Sequence, residues 1–328
     1  MDELIASAYA GRRILVTGGC GFLGTSLITL LKEVPCTIIR LSTPGTDFLP
    51  IQGTARIVDI GGDVRDRATW EQALPDIHVV FHFAAQTSVY VAERDAASDL
   101  DANVRPMALL IETCLRMDLH PVVLFSGTVT QAGIPMRLPV DESHPDQPVT
   151  IYDLHKLMAE QYLAYASRKG IVQGATLRLA NVYGPGPASS SADRGVLNQM
   201  MHRALRGEPL TVYGAGDRLR DYVYVEDVAR AFLLAGSRSG ALSGRHFVIG
   251  SGAGHTIAEA FSLVAERAAL KTGQRVLVSH VEPPSGLSPI EDRDFVADTG
   301  RFHAATGWRA QVSLVEGIDR TLEALLRL

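Results

Sequence analysis

Short runs of apolar, often β-branched residues alternate with amphipathic segments through the first half of the chain. Arg13–Thr17 (RILVT), Thr37–Leu41 (TIIRL), His78–Phe83 (HVVFHF) and Val122–Ser126 (VVLFS) are bounded by Gly, Pro or polar positions and read as buried strands. A further strand is expected just before Gly62. Gly24–Glu33 and Ala97–Met117 have helix length, and the amphipathic stretch Tyr152–Lys169 leads into a strand at Gly174–Leu179. This rhythm predicts an α/β fold, a parallel sheet with helices on both faces. The texture changes after Leu179. Tyr183–Asp193 (YGPGPASSSAD) is a Pro/Gly/Ser-rich loop, and the elements beyond it lose their regular alternation. His246–Ile249 (HFVI) reads as a sheet strand returning late. The expected division is a nucleotide-binding domain at 1–180, rejoined by 222–250, and a smaller substrate-binding portion from 181–221 and 251–328. One undivided domain is the alternative.

The first strand runs directly into Gly18-Gly19-Cys20-Gly21-Phe22-Leu23-Gly24 and then a helix. Glycines spaced GxxGxxG let the chain turn sharply, bring backbone N–H groups to a pyrophosphate and seat the helix on the sheet. That context predicts a Rossmann-type, doubly wound sheet holding a dinucleotide on Gly18, Gly21, Phe22, Leu23 and Gly24. The second strand is expected to end at Arg40, with Ser42 and Thr43 close behind. A carboxylate there would suit the ribose of NAD, whereas a cation with neighbouring hydroxyls suits a 2′-phosphate. Arg40 and Ser42 therefore favour NADP(H), with NAD(H) as the alternative and a solvated surface arginine as the plain reading. Asp63 and Val64 are placed to meet adenine. Phe83, Ala84 and Ala85, after the fourth strand, would let the dinucleotide lie along the sheet edge.

Tyr152-Asp153-Leu154-His155-Lys156 contains YxxxK on a predicted helix, where residues four apart share a face. An unperturbed tyrosine titrates at about 10, and a neighbouring ammonium favours the phenolate. Tyr152 can then move a proton to or from a substrate oxygen, with Lys156 tuning it and holding the nicotinamide ribose. A third group is expected to polarise the substrate carbonyl. The fifth strand ends in Ser126-Gly127-Thr128, and Thr128 is preferred to Ser126 for that role.

Composition narrows the partners. The chain has 328 residues, 46% hydrophobic and 20% charged, as in an ordinary globular protein. Its net charge of −5, with Lys and Arg dispersed, argues against nucleic acid or an anionic membrane as the main partner. No apolar run approaches the ~20 residues of a spanning helix, and no signal-peptide pattern opens the chain, so a cytoplasmic location is expected. Cys20, Cys36 and Cys114 show no CxxC spacing and read as small buried residues, with no metal site expected.

Taken together, Thr17–Gly24 (TGGCGFLG), Asp63, His82–Ala85 (HFAA), Asn103, the YxxxK, Leu177–Gly186 (LRLANVYGPG), Gly214–Asp227 (GAGDRLRDYVYVED) and Gly307–Gly317 (GWRAQVSLVEG) resemble the extended short-chain dehydrogenases. That group contains UDP-glucose epimerase and nucleotide-sugar dehydratases and reductases, and the resemblance covers nearly the whole chain. It implies that Asn103 contacts the cofactor and that Asn181, Arg220 and Arg293 contact the sugar and diphosphate. It also places Arg194 and Val196 where the nucleotide base is clamped, and implies a homodimer built on the helices around Ala97–Met117 and Tyr152–Lys169. Two departures sort the chemistry. The hydroxyl strand lacks the usual VYG tyrosine, and Val129 and Thr130 stand where a 4,6-dehydratase carries its acidic pair. SGTVTQ, Arg40, Gly195–Tyr213 and Thr306–Thr321 look most like the 4-ketoreductases that finish dTDP-deoxysugars for antibiotic glycosylation. The resemblance thus implies NADPH-dependent reduction of the C4 ketone of a dTDP- or UDP-linked 4-keto-6-deoxyhexose. An NAD-retaining nucleotide-sugar 4-epimerase is the alternative, and a non-catalytic relative that keeps the cofactor fold is a third.

Overall fold

The structure, a computed structural model, describes residues 3–187 and 195–327. After a short helix α1 (Glu3–Tyr9) the chain alternates β1 (Arg13–Thr17), α2 (Phe22–Leu31), β2 (Thr37–Ser42), β3 (Arg56–Gly61), α3 (Arg67–Ala73) and β4 (Val79–His82). Three helices follow, α4 (Val89–Arg94), α5 (Ala96–Asn103) and α6 (Arg105–Met117), before β5 (Val122–Thr128), α7 (Ile151–Arg168) and β6 (Gln173–Leu179). The remainder comprises β7 (Asn181–Tyr183), α8 (Val196–Leu205), β8 (Leu210–Tyr213), β9 (Leu219–Tyr224), α9 (Val225–Ser237), α10 (Ser239–Leu242) and β10 (Arg245–Ile249). The last elements are β11 (Gly254–Thr256), α11 (Ile257–Thr272), β12 (Val278–Val281), α12 (Gly300–Thr306) and α13 (Leu314–Leu325).

Seven strands form one parallel sheet in the order β10-β6-β5-β4-β1-β2-β3. The apolar runs are continuous because both faces of the sheet are covered. Alternate residues point to opposite faces. Ile14, Val16, Phe81 and Leu124 pack with α1, α2 and α9, while Leu15, Val80, Val123 and Phe125 pack with α3, α6 and α7. The chain leaves β1 towards β2 and β3, then crosses back to β4 on β1's other side. The strand order therefore reverses between β1 and β4, which opens a crevice at their carboxyl ends.

The expected helix Ala97–Met117 is two helices, broken at Val104. Pro106 stands in the first turn of α6, where its missing N–H costs nothing, but continuing α5 through it would lose a hydrogen bond. The late strand is present as β10, the sheet edge beside β6. Beyond the main sheet, β11-β9-β7 and β12-β8 form two small sheets. With α8, α11 and α13 they enclose a separate core around Tyr183, Met201, Phe261 and Ile318. Buried Asp221 ties this region together, accepting from the Ser251, Gly252 and Ala297 amides and the Ser251 hydroxyl. Cys36 and Cys114 are buried, their thiols pushed up to about 11 and about 12 by burial; Cys20, expected to be buried, is only half-buried in the glycine loop. Among the described residues no helix is long and apolar enough to cross a membrane.

Candidate active site

At the end of β1 the chain turns through Gly18, whose φ of +65° few residues other than glycine adopt. A Cβ there would stand 2.9 Å from the Ala84 amide nitrogen, so the loop lies hard against the end of β4. A Cβ on Gly24 would meet the Gly18 carbonyl oxygen at 2.4 Å, which seats α2 directly under the loop. Gly21 caps α2 without any side-chain hydrogen bond, leaving the first-turn N–H groups of this ten-residue helix to an outside acceptor. Thr17 Oγ1 accepts from the Phe83 and Ala84 amides at 3.1 Å and pairs with His82 Nδ1 at 2.8 Å, fastening the two strand ends together. Ser42 Oγ accepts from the Cys20 amide at 3.0 Å. Asn103 closes α5 nearby; its Oδ1 is buried and meets no hydrogen-bond partner among the described residues. A backbone cradle closed to side chains, an open helix N-terminus and an orphaned buried acceptor fit a dinucleotide.

Four predicted cofactor residues have partners within the protein. β2 continues to Ser42, so Arg40 lies inside the strand, directly opposite Asp59 of β3. Its guanidinium donates to both Asp59 oxygens at 2.7 and 2.8 Å and to the Leu49 carbonyl at 2.9 Å, and it is buried over the Phe48 ring. The cation expected to face a 2′-phosphate is thus engaged by a carboxylate one strand away. Asp63 turns onto Arg65, whose side-chain hydrogen bond holds the carboxyl below its ordinary range, while the Val64 carbonyl accepts from the Trp70 indole. Phe83 turns into the core, its ring 4.8 Å from that of Phe232.

Thr150 caps α7 by accepting from the Asp153 amide at 3.2 Å, which sets the first turn and the catalytic face. Tyr152, Lys156 and Glu160, spaced i, i+4, i+8, are all buried on that helix. The Lys156 ammonium lies 4.1 Å above the centre of the Phe125 ring. The same ring stacks with His82, whose burial, aided by the Lys156 charge, pushes it down to about 3. Glu160 is bound by Arg178 of β6 at 2.5 Å and by Gln131 at 3.0 Å, and Gln131 in turn accepts from the Thr128 amide at 2.9 Å. One chain of contacts therefore joins the tyrosine helix to the end of β5.

Thr128 sits at that end, beside Leu179 and two residues from Asn181. Its hydroxyl is 2.8 Å from that of Thr130, which donates to the buried Asp153 carboxylate. With the Thr130 proton given to Asp153, Thr128 Oγ1 donates to Thr130 Oγ1 and accepts from the Thr130 amide at 3.3 Å. Ser126 Oγ donates to the His82 carbonyl at 3.3 Å. The Thr128 hydroxyl, expected to polarise a substrate carbonyl, is thus engaged within the protein by Thr130. Gln131, Asp153, Glu160 and Arg178 were not singled out from sequence, and Thr130 only as a residue that is not acidic. Only the spacing of Glu160 from Tyr152 and Lys156 carried a readable signal.

Asn181 opens β7, which pairs with β9, where Arg220 lies. Arg220 and Arg293 are both buried and come together on the turn at Pro289–Asp292. Arg220 donates to the carbonyls of Leu219, Glu291 and Arg293 and to the Glu291 carboxylate at 3.4 Å, and Arg293 donates to the Ile290 carbonyl at 2.8 Å. Val196 is exposed at the start of α8, and Arg194 lies outside the described residues. The Phe22 ring lies within 2.8 Å of where a Gly186 Cβ would stand, bringing the glycine loop against the segment that follows Asn181.

Residues 14–250 match the model of the NAD dependent epimerase/dehydratase family. The chain is 30% identical over 313 residues to a putative UDP-glucose 4-epimerase of Methanocaldococcus jannaschii, covering 94% of this chain and 97% of that protein. It is 23% identical over 330 residues to the dTDP-4-dehydro-6-deoxyglucose reductase of Escherichia coli, covering 95% and 97%. Among solved structures, the UDP-glucose 4-epimerase of Thermus thermophilus in complex with NAD superimposes with a TM-score of 0.81 at 30% identity, over 96% of this chain and 99% of that one.

Proposed function

The chain belongs to the NAD dependent epimerase/dehydratase family, and from that premise we propose that it reduces the C4 ketone of a nucleotide-linked, dTDP- or UDP-bearing, 4-keto-6-deoxyhexose. The observation that carries this reading is the pair Val129–Thr130 directly after Thr128. Elimination of water needs an acid and a base at that point, and neither side chain supplies one, while Tyr152 and Lys156 are intact. Exchange of hydride at C4 is the chemistry left. A bound dihydronicotinamide, NADPH or NADH, would supply that hydride. Tyr152 donates its phenol proton to the C4 oxygen, and the Lys156 ammonium eases the proton's departure. Thr128 accepts a hydrogen bond from a sugar hydroxyl. Asn181, Arg220, Arg293 and the segment from Arg194 to Val196 hold the sugar diphosphate and base; arginine is the usual partner of phosphate. Both coenzymes stay in the reading because Asp59 engages Arg40, the residue by which the sequence favoured NADP. Likeness to deoxysugar 4-ketoreductases supports a product destined for antibiotic glycosylation.

The second reading, an NAD-retaining 4-epimerase, is favoured by the UDP-glucose 4-epimerases among the relatives at 28 to 30% identity. The test is incubation with a panel of 4-keto nucleotide sugars while dihydronicotinamide absorbance is followed. A reductase consumes one equivalent per product. An epimerase carries tightly bound NAD and turns over 4-hydroxy sugars without added reductant. Tyr152→Phe is expected to lower the rate at least ~10²-fold, and unchanged turnover would remove the mechanism. Exposed Leu115 on α6 and Leu154, Tyr162 and Tyr165 on α7 support a homodimer through these helices. Sedimentation should give twice the chain mass; a monomer at micromolar concentration refutes it.

A further inference from the structure

Asp99 and His155 form a buried pair that the reaction above leaves unused. His155 Nδ1 donates to Asp99 Oδ2 at 2.6 Å, and both side chains are almost fully buried between α5 and α7. Asp99 Oδ1 accepts two further bonds, from Gln86 Nε2 at 2.6 Å and from Asn103 Nδ2 at 2.9 Å. The second hydrogen of the Asn103 amide goes to the Gln86 carbonyl at 3.0 Å. Two acceptors therefore face the nitrogen side of this amide, and a flipped amide would set oxygen against oxygen twice. Asn103 Oδ1 is thereby forced to the opposite side, where it is buried without a partner among the described residues. Gln86 follows Ala84 and Ala85 at the end of β4, and His155 precedes Lys156, so this amide stands between the glycine-loop crevice and the catalytic helix.

We propose that Asp99, held by His155, is a positioning residue for the dinucleotide: it fixes the Asn103 amide so that Oδ1 accepts an O–H or N–H of the cofactor. The inference rests on the cofactor reading given above. NADPH and NADH are the probes, and their affinity is measured by fluorescence titration of the intact protein. Asp99→Ala is expected to weaken the better of the two about fivefold, the scale of one net hydrogen bond, with kcat at saturating cofactor within about twofold. Asp99→Asn retains an acceptor towards Asn103 and is expected to bind as the wild type does. Asn103→Ala weakens binding similarly, and the Asp99→Ala/Asn103→Ala double variant is expected to be no weaker than Asn103→Ala alone. Independent, multiplying losses overturn the proposal, because Asp99 would then not act through Asn103. If Asp99→Ala does not fold, Asn103→Asp decides. It keeps an acceptor but sets a carboxylate against Asp99, so about tenfold weaker binding is expected, partly relieved by adding Asp99→Asn; wild-type affinity overturns the proposal. A wild-type protein that binds neither probe refutes the cofactor reading itself, a result distinct from all of these.

Discussion

His82 offers a quantitative test of how the end of β4 is buried beside Lys156. The ring lies at the end of β4, 1% exposed, stacked on Phe125 and edge-on to Trp70, with the Lys156 ammonium also over the Phe125 ring. Burial first, and the Lys156 charge second, push it from 6.5 down to about 3. The folded value lies below the unfolded one, so the neutral ring's contribution to stability is complete above pH ~6.5 and is lost as pH falls. Each pH unit below that point costs about 1.4 kcal/mol, and between pH 6.5 and 5.0 the loss from this residue is about 2 kcal/mol. His82→Asn keeps a polar atom near Thr17 Oγ1 but cannot take up the proton. Urea unfolding of both proteins at half-unit steps from pH 7.5 to 5.0 measures the difference. The wild type is expected to lose about 2 kcal/mol more than the variant across that acid range. Parallel curves would refute the reasoning, since His82 would then titrate alike in both states. Lys156→Met removes only the second, smaller cause, so the folded value stays below the acid range measured and the loss between pH 7.5 and 5.0 is expected to be unchanged.

Arg178→Met strips the buried Glu160 carboxylate of its bidentate partner, leaving Gln131 and a longer contact to His246 Nδ1 at 3.4 Å. Breaking a buried pair from one side costs about 3–5 kcal/mol, and adding Glu160→Leu is expected to recover much of it, read by denaturant midpoints. Gly24→Ala sets a Cβ 2.4 Å from the Gly18 carbonyl, and the loop must shift to accommodate it. Dinucleotide titration is expected to show a loss of at least about tenfold, the cost of ~1.4 kcal/mol of misplacement. Glu142, raised by burial, contributes stability at low pH that fades as pH rises through the carboxylate range. Glu142→Gln is therefore expected to gain thermal stability at pH 7 relative to pH 4.5.

Sequence by itself determined what depends on neighbours along the chain. The strand runs, the glycine turn after Thr17, the helical spacing of Tyr152 and Lys156, and the late strand at Arg245–Ile249 are local patterns, because dihedral freedom and side-chain period are properties of short segments. The break at Val104 belonged to the same class, since Pro106 stood in plain view. Tertiary structure alone decided what each polar side chain spends itself on. Arg40 looked like a phosphate ligand until strand pairing set Asp59 beside it. Thr128 reads in sequence as a hydroxyl for polarising a carbonyl, and only folding sets Thr130 and Asp153 against it. Asp99 and Asn103 stand one helical turn apart on α5, but Gln86 and His155 share no spacing with them, and only the packing of α5 against α7 and the end of β4 brings all four into hydrogen-bonding range. A hydrogen bond acts over about 3 Å of space whatever the distance along the chain, so its partner is chosen by the fold.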